Sequence, residues 1–154
     1  MIVLSTKKLS DAQKAPLLAQ GVTIVEHDFI RTLPVKIKEL NPPYSALVFT
    51  SKNAVNSFLQ HPEAEKLKNV PVLCVGQKTA ELLTEAGFTV EHSEPYAALL
   101  VDYMKADLAR FQQMEKIAFF VGTSKLPTLP NFFAENAINV EEILAYQSVP
   151  APRI

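Results

Sequence analysis

The sequence predicts an α/β fold with a doubly wound, mostly parallel β-sheet, because apolar strands alternate with amphipathic segments along the chain. The strands are short runs that are apolar at every position, as is typical of strands covered by helices on both faces. These runs are Ile2–Leu4, Leu47–Phe49, Val72–Val75 and Ile117–Val121.

The segments after the second and third runs have apolar side chains at helical spacing. The positions are Ala54, Val55, Phe58 and Leu59, then Ala80, Leu83 and Ala86, then Leu100, Val101, Met104, Leu108 and Phe111. The spacing predicts a helix for each set, and we expect the last set to form one long helix. Gly87 stands where a residue in the left-handed conformation would end the second helix.

The two ends of the chain carry similar strand-helix-strand patterns. The corresponding segments are Ile2–Leu4, Pro16–Gly21 and Val22–Val25 at one end, and Ile117–Val121, Pro130–Asn136 and Ile138–Val140 at the other. Gly21 and Asn136 occupy the position where a helix end tolerates a positive φ. Few residues are identical, so the repeat alone is weak support for a duplication.

Prolines predict two crossings between lobes. Leu33-Pro34 and Asn41-Pro42-Pro43 bracket a stretch without a strong period, and Pro150 and Pro152 lie near the end of the sequence. We therefore expect residues 1–34 to be an N-terminal fragment of a first lobe and residues 35–43 to cross between lobes. Residues 44–149 would form a complete second lobe, and residues 150–154 would begin a return crossover.

Composition disfavours several classes of protein. A formal net charge of -1 with dispersed lysines provides no basic surface for nucleic acid. No apolar run approaches a membrane span, and residues 1–7 are too short a run for a signal peptide, so we expect a cytoplasmic protein. A single cysteine, Cys74, excludes an internal disulfide, and the scattered His27, His61 and His92 indicate no metal site.

Polar loops follow three of the predicted strands and begin helices. The two main loops are Thr50-Ser51-Lys52-Asn53 and Gly76-Gln77-Lys78-Thr79, and the third is Gly122-Thr123-Ser124-Lys125. The first N–H groups of a helix lack intrahelical partners and lie at the positive end of its dipole, so they attract carboxylates and phosphates. Because parallel strands end at the same edge of a sheet, the sequence predicts a shared anion-binding cradle.

Other phosphate- and metal-binding classes fit the loops poorly. A response-regulator receiver needs acidic side chains at strand ends, where this chain has Ser5–Lys8 and Thr50–Asn53. Gly76–Thr79 lacks the earlier glycine of a phosphate-binding Walker loop, and no dinucleotide fingerprint is present.

The chain resembles the uroporphyrinogen-III synthase family in segments that occur in the family's order. The matching segments are Leu47–Val55, Val75–Phe88, Leu129-Pro130 and Ala145–Ser148. The family has two flavodoxin-like lobes joined by a two-stranded linker. The resemblance therefore implies one complete flavodoxin-like lobe, with a doubly wound parallel sheet, plus a strand-helix-strand fragment of a second lobe. A further copy of the loop motifs would complete the family pattern, so the sequence corresponds either to a truncated molecule or to a naturally shortened relative.

The resemblance implies an enzyme of tetrapyrrole (heme) biosynthesis that cyclises hydroxymethylbilane to uroporphyrinogen III. The reaction is a cofactor-independent loss of water with inversion of ring D. By family position, the residues that would receive substrate carboxylates are Thr50, Ser51, Lys52, Asn53, Gly76, Gln77, Lys78 and Thr79. Tyr146 would be the catalytic residue that assists departure of the hydroxyl. Gly122, in the third loop, joins the predicted substrate-binding residues. The family is monomeric, and a homodimer is the alternative for a shortened chain.

Structural roles compete with these functional ones. Thr50, Ser51 and Asn53 could serve only as helix caps, Thr79 could simply pack in the first turn, and Tyr146 could be a strand aromatic with its hydroxyl at the surface. A second hypothesis for the whole chain is a noncatalytic anion-binding or interaction domain. Its N-terminal strands would leave apolar surface uncovered, which a homodimer could cover.

Overall fold

The computed structural model describes residues 1–151, which divide into two compact units. One unit contains Met1–Leu33 and the C-terminal residues from Ser148 onward, and the other contains Pro34–Gln147. The part of the predicted return crossover at residues 152–154 lies outside the described residues. No helix among residues 1–151 is long and apolar enough to cross a membrane.

The first unit contains a strand-helix-strand motif, as the sequence predicts. Strand β1 (Ile2–Ser5) pairs in parallel with β2 (Thr23–Glu26), and helix α1 (Asp11–Ala19) connects them. A capping box begins α1: the Ser10 hydroxyl accepts from the Gln13 N–H, and the Gln13 side chain accepts from the Ser10 N–H. Gly21 has the expected positive φ, at 73°.

The chain passes between the units through β3 (Ile30–Pro34) and β8 (Val140–Pro150). The Val35 N–H donates to the Ala145 carbonyl at 3.0 Å, and the Ala151 N–H donates to the Phe29 carbonyl at 2.9 Å. Residue numbers therefore increase in opposite directions along β3 and β8, so the two strands are antiparallel.

The main sheet has a parallel core of buried central strands. Its strand order is β3-β8-β7-β4-β5-β6, with β4 at Ala46–Phe49, β5 at Val72–Val75, β6 at Val90–Glu94 and β7 at Ile117–Gly122. All neighbouring pairs from β8 to β6 are parallel. Every residue of β4 and β7 is buried, which explains their uninterrupted apolar sequences.

Helices cover both faces of this sheet. They are α2 (Lys52–Leu59), α3 (Gln77–Glu85), α4 (Ala97–Lys105), α5 (Leu108–Gln112) and α6 (Thr128–Glu135), with a short 3-10 turn at Ala64–Leu67. On one face, Phe58 and Leu83 of α2 and α3 pack against Leu47 and Phe49 of β4. On the other face, residues of α4, α5 and α6 pack against Ala46 and Val48 of β4.

The α/β class and the doubly wound parallel sheet are confirmed, but the strand order corrects one detail. Counted from β4 along the chain, the strands of the second unit lie in the order 3-2-1-4-5. A flavodoxin-like sheet has the order 2-1-3-4-5. The strands after β4 are added on one side of it and the strands from β7 onward on the other, so the parallel pair β4–β7 marks the switch point of the sheet.

Several local predictions were wrong. Ile2–Leu4 forms a strand as expected, but no residue of β1 is fully buried. The long helix is two helices, because Asp107 leaves the helical region with φ -137° and ψ 49° between α4 and α5. Strand β6 was not predicted, since Val90–Glu94 is largely polar and none of its residues is fully buried. After α6 the positive φ falls on Ala137, at 55°, and not on Asn136. The helix end at Gly87, with φ 90°, is confirmed.

A polar cluster joins the starts of β7 and β8 to the segment before β4. The Tyr44 hydroxyl accepts from the Asn41 N–H at 2.7 Å and donates to Glu141 at 3.0 Å, while Lys116 lies 3.4 Å from the same carboxylate. Burial, and to a smaller extent the Glu141 charge, raises the pKa of Tyr44 to about 12. Partial burial opposes ionisation of Glu141, but hydrogen bonds from Asn41, Tyr44 and Lys116 hold its pKa below the ordinary value.

Candidate functional site

A cavity of about 260 Å³ lies at the switch point, where β4 and β7 end. In doubly wound sheets, ligands bind beyond the carboxyl ends of the strands at this position. Thr50 follows β4, Val75 ends β5, and Phe119 and Tyr146 belong to β7 and β8; all four line the cavity. Its location and the side chains of Thr50, Phe119 and Tyr146 identify it as the candidate active site.

Two helix starts open onto the switch-point cavity. Tyr96 and Ala97 begin α4, and Thr128 and Leu129 begin α6; all four contribute to the lining. Neither helix start has a side-chain capping hydrogen bond. Their first N–H groups are therefore available to a ligand, and both helix dipoles favour a negative charge in the cavity.

Gly122 fixes the position of Tyr146. The two residues are opposite each other in the β7–β8 ladder, just after a register shift between Val121 and Gly122. A Cβ atom at Gly122 would lie 2.3 Å from both Cε2 and Cζ of Tyr146, so only glycine leaves room for the ring. Within residues 1–151 the half-buried Tyr146 makes no hydrogen bond through its hydroxyl, which is therefore available to a ligand.

The loop after β4 has one cavity residue and one capping residue. Thr50 lines the switch-point cavity. The Ser51 hydroxyl instead caps α2 and accepts from the Asn53 N–H at 3.1 Å, so this N–H is already occupied.

The loop after β5 depends on glycine for its shape. Gly76 caps α3 with a φ of 97°, a conformation that other residues adopt only with strain. The start of α3 has no side-chain cap. Thr79 is only 4% exposed and packs beneath Gly76, while the Gln77 amide donates to Glu81 within the helix at 3.1 Å.

The lysines of the two predicted loops meet in a separate depression. Lys52 and Lys78 line it together with Leu82 and the carboxylates of Glu81 and Glu85, and its volume is about 270 Å³. Neither lysine forms an ion pair with another described residue. The structure thus divides the predicted cradle into two parts. Thr50 and Tyr146 line the switch-point cavity, with Gly122 against the Tyr146 ring. Lys52 and Lys78 line the depression between α2 and α3.

Sequence reasoning missed the contribution of α4. Tyr96 is 70% exposed and lines the switch-point cavity together with Pro95. The sequence does contain a signal for this helix start, because Pro95 precedes an apolar pattern at helical spacing. Since β6 was not predicted, nothing indicated that this loop follows a strand end. Lys125 lies in the third predicted loop, lines the same cavity and forms an ion pair with Glu142 at 3.1 Å.

Among residues 1–151, no group of three or more His, Cys, Asp or Glu side chains could hold a metal ion. Cys74 is buried in β5, and burial raises the pKa of its thiol. A raised pKa keeps the thiol protonated and unreactive at neutral pH.

The fold and site define a doubly wound α/β protein with a cavity at its switch point, onto which the starts of two helices open. A family model described as uroporphyrinogen-III synthase HemD matches residues 6–153, and the chain belongs to this family. A search of curated protein sequences gave no significant match.

Solved structures of uroporphyrinogen-III synthases have a similar fold. The Helicobacter pylori 26695 enzyme superposes with a TM-score of 0.66 at 18% identity, and the match covers 100% of this chain and 65% of that one. A mutant enzyme from the extremely thermophilic bacterium Thermus thermophilus superposes with a TM-score of 0.64 at 22% identity, over 99% of this chain and 64% of that one. The chain thus spans slightly less than two thirds of the length of these relatives.

Proposed function

We propose that the switch-point cavity binds the reacting end of hydroxymethylbilane and that the chain acts in its cyclisation to uroporphyrinogen III, with loss of water and inversion of ring D. The observation that carries the proposal is the Tyr146 hydroxyl, without a hydrogen bond among residues 1–151, in a cavity onto which two uncapped helix starts open. Family membership supports the same reaction.

The proposed chemistry needs a held conformation more than a strong acid. Departure of the hydroxyl leaves a reactive cation, and the unaided chain closes without inverting the last ring. Restricting the substrate to one conformer can contribute roughly 7–11 kcal/mol in favourable cases. A tyrosine hydroxyl has an ordinary pKa of about 10, so Tyr146 would assist mainly by hydrogen bonding to the departing hydroxyl.

The substrate carboxylates would be shared between the two parts of the site. The starts of α4 and α6 and the Thr50 hydroxyl would receive the groups nearest the reacting end. Lys52 and Lys78, with the uncapped start of α3 at Gly76 and Gln77, would receive carboxylates further along the linear substrate. Substrate contacts thus come from backbone donors and two cations, which suits a protein of nearly balanced charge.

The remaining predicted residues would shape these loops. We propose that Ser51 and Asn53 hold the start of α2 in place through their hydrogen bond, and that the buried Thr79 supports Gly76 from below. Replacing Ser51, Asn53 or Thr79 should therefore lower the free energy of unfolding more than it lowers the affinity for substrate.

An isomer-resolved assay tests the function. Freshly prepared hydroxymethylbilane is incubated with the protein, and uroporphyrinogens III and I are separated. We expect isomer III to form, and Tyr146→Phe to slow its formation by about 10-fold or more. Tyr103→Phe is the matched control, because Tyr103 lies on α4 outside the cavity lining. Formation of isomer I alone would show that the chain is not a competent synthase.

We further propose a cytoplasmic location, which membership of a biosynthetic enzyme family supports. Cell fractionation tests this location. A monomer is proposed as the active form, and light scattering distinguishes it from the homodimer that would cover Ile2 and Leu4, which are 72% and 66% exposed.

A further inference from the structure

A second cavity, of about 310 Å³, lies between α2 and the segment that follows β3. Its lining consists of Pro34–Ile37 on one side and of Ser57 and Gln60–Pro62 on the other. It shares no lining residue with the switch-point cavity. Its volume falls at the lower end of the range typical of small-molecule sites.

Ser57 is a buried hydroxyl without a partner in this second cavity. The residue is only 5% exposed, and its Oγ makes no hydrogen bond with any described residue. A serine inside a helix usually bonds to the carbonyl four residues earlier, which here would be that of Asn53. A buried polar group without a partner destabilises the fold, so its retention in a lined cavity indicates a partner that binds there.

Each of the other polar side chains that line the second cavity can donate a hydrogen bond. The Glu63 N–H donates to Nδ1 of His61 at 3.1 Å, so the neutral ring carries its proton on Nε2. Lys36 contributes an ammonium group and Gln60 an amide, and none of the residues that line the cavity is acidic. This set is complementary to a ligand that carries acceptor oxygens and a negative charge.

Apolar groups occupy the rest of the wall. Pro34, Ile37 and Pro62 provide surface for a short hydrophobic body, but not for a long chain, since the cavity is small. We propose that the second cavity binds a small organic carboxylate, whose oxygens accept hydrogen bonds from Ser57 and His61 and whose charge is balanced by Lys36. This site is independent of the proposed synthase function, because its residues and its ligand are different.

A titration followed by amide NMR tests the site, with benzoate as the probe and benzyl alcohol as its uncharged counterpart. We expect saturable shifts of the amides of residues 34–37 and 57–62, with a dissociation constant of about 1 mM or below. Benzyl alcohol should bind at least about 10-fold more weakly, since it lacks the charge. Absence of saturation, equal binding of the alcohol, or shifts confined to the helix starts at residues 50–53 and 76–79 would overturn the proposal.

Substitutions separate this site from a merely structural serine. Ser57→Ala should weaken benzoate binding by about 10-fold and should leave Tm unchanged or raise it, because it removes an unpaired buried hydroxyl. Lys36→Met should also weaken binding, whereas Lys38→Met, two residues away and outside the cavity lining, should not. A lower Tm for Ser57→Ala would show that the hydroxyl already has a partner and would overturn the proposal. Unchanged affinity in both Ser57→Ala and Lys36→Met would do the same.

Discussion

Gly122→Ala should displace the Tyr146 ring. The substitution tests whether glycine is needed at this position because it leaves room for the ring or because of its backbone conformation. The added Cβ would lie 2.3 Å from Cε2 and Cζ of the ring and 2.8 Å from its hydroxyl oxygen. Carbon atoms in contact are about 3.5–4.0 Å apart, so the ring has to move by at least about 1.2 Å. The backbone of Gly122 does not have a positive φ, so alanine adds no conformational strain of its own.

The size of the expected effect follows from this overlap. Forcing an extra methyl group into a packed site costs about 1–3 kcal/mol, which urea unfolding followed by circular dichroism measures. A displacement of about 1 Å in a reacting group can lower turnover by about 100-fold, which the isomer-resolved assay measures. Selective labelling of tyrosine rings would report the movement directly, as a changed Tyr146 resonance.

A double-mutant cycle provides the control. In a Tyr146→Ala background the ring is absent, and Gly122→Ala should then cost less than about 0.5 kcal/mol. If the cost of Gly122→Ala is the same in both backgrounds, or if the Tyr146 resonance does not change, the coupling between these two residues is refuted.

Two further predictions concern stability. Glu141→Gln should lower the free energy of unfolding by about 1–2 kcal/mol at neutral pH, because it weakens the hydrogen bonds and ion pair of the carboxylate. The folded pKa of Glu141 is depressed, so this contribution is complete above the unfolded pKa of about 4.3 and is lost as the pH falls through the folded value. Urea unfolding at pH 7 and at acid pH should therefore show a difference between the proteins that shrinks in acid; a constant difference would contradict it. Gly87→Ala should cost about 1 kcal/mol, because its φ of 90° is left-handed, and an unchanged urea midpoint would contradict that assignment.

The fold was predictable where burial left a simple pattern. Strands β4 and β7 are buried on both faces, so their sequences are apolar at every position and their assignment is straightforward. Strand β6 lies at the edge of the sheet and carries His92, which pairs with Glu94 and stacks on Tyr103. Its side chains are held by polar and aromatic contacts, and such a strand has no apolar run to reveal it.

The site was predictable only as far as local sequence controls it. The loops at Thr50 and Gly76 could be identified because a polar segment that follows a buried strand begins a helix. Their separation into a cavity and a lysine-lined depression depends on which strands are neighbours, and strand order is a long-range property. The contact of Gly122 with Tyr146 joins positions far apart in the sequence, so no local pattern announces it.

The sheet of the second unit keeps its two hydrophobic layers apart. Leu47 and Phe49 belong to one layer, whereas Ala46 and Val48, the alternate residues of the same strand, belong to the other. The candidate active site takes most of its apolar wall, including Phe119 and Leu129, from the second layer. Tyr146 is the exception, because it lines the cavity and packs against the first layer. Substitutions in the first layer away from Tyr146 are therefore expected to change heat resistance with little disturbance to the candidate active site.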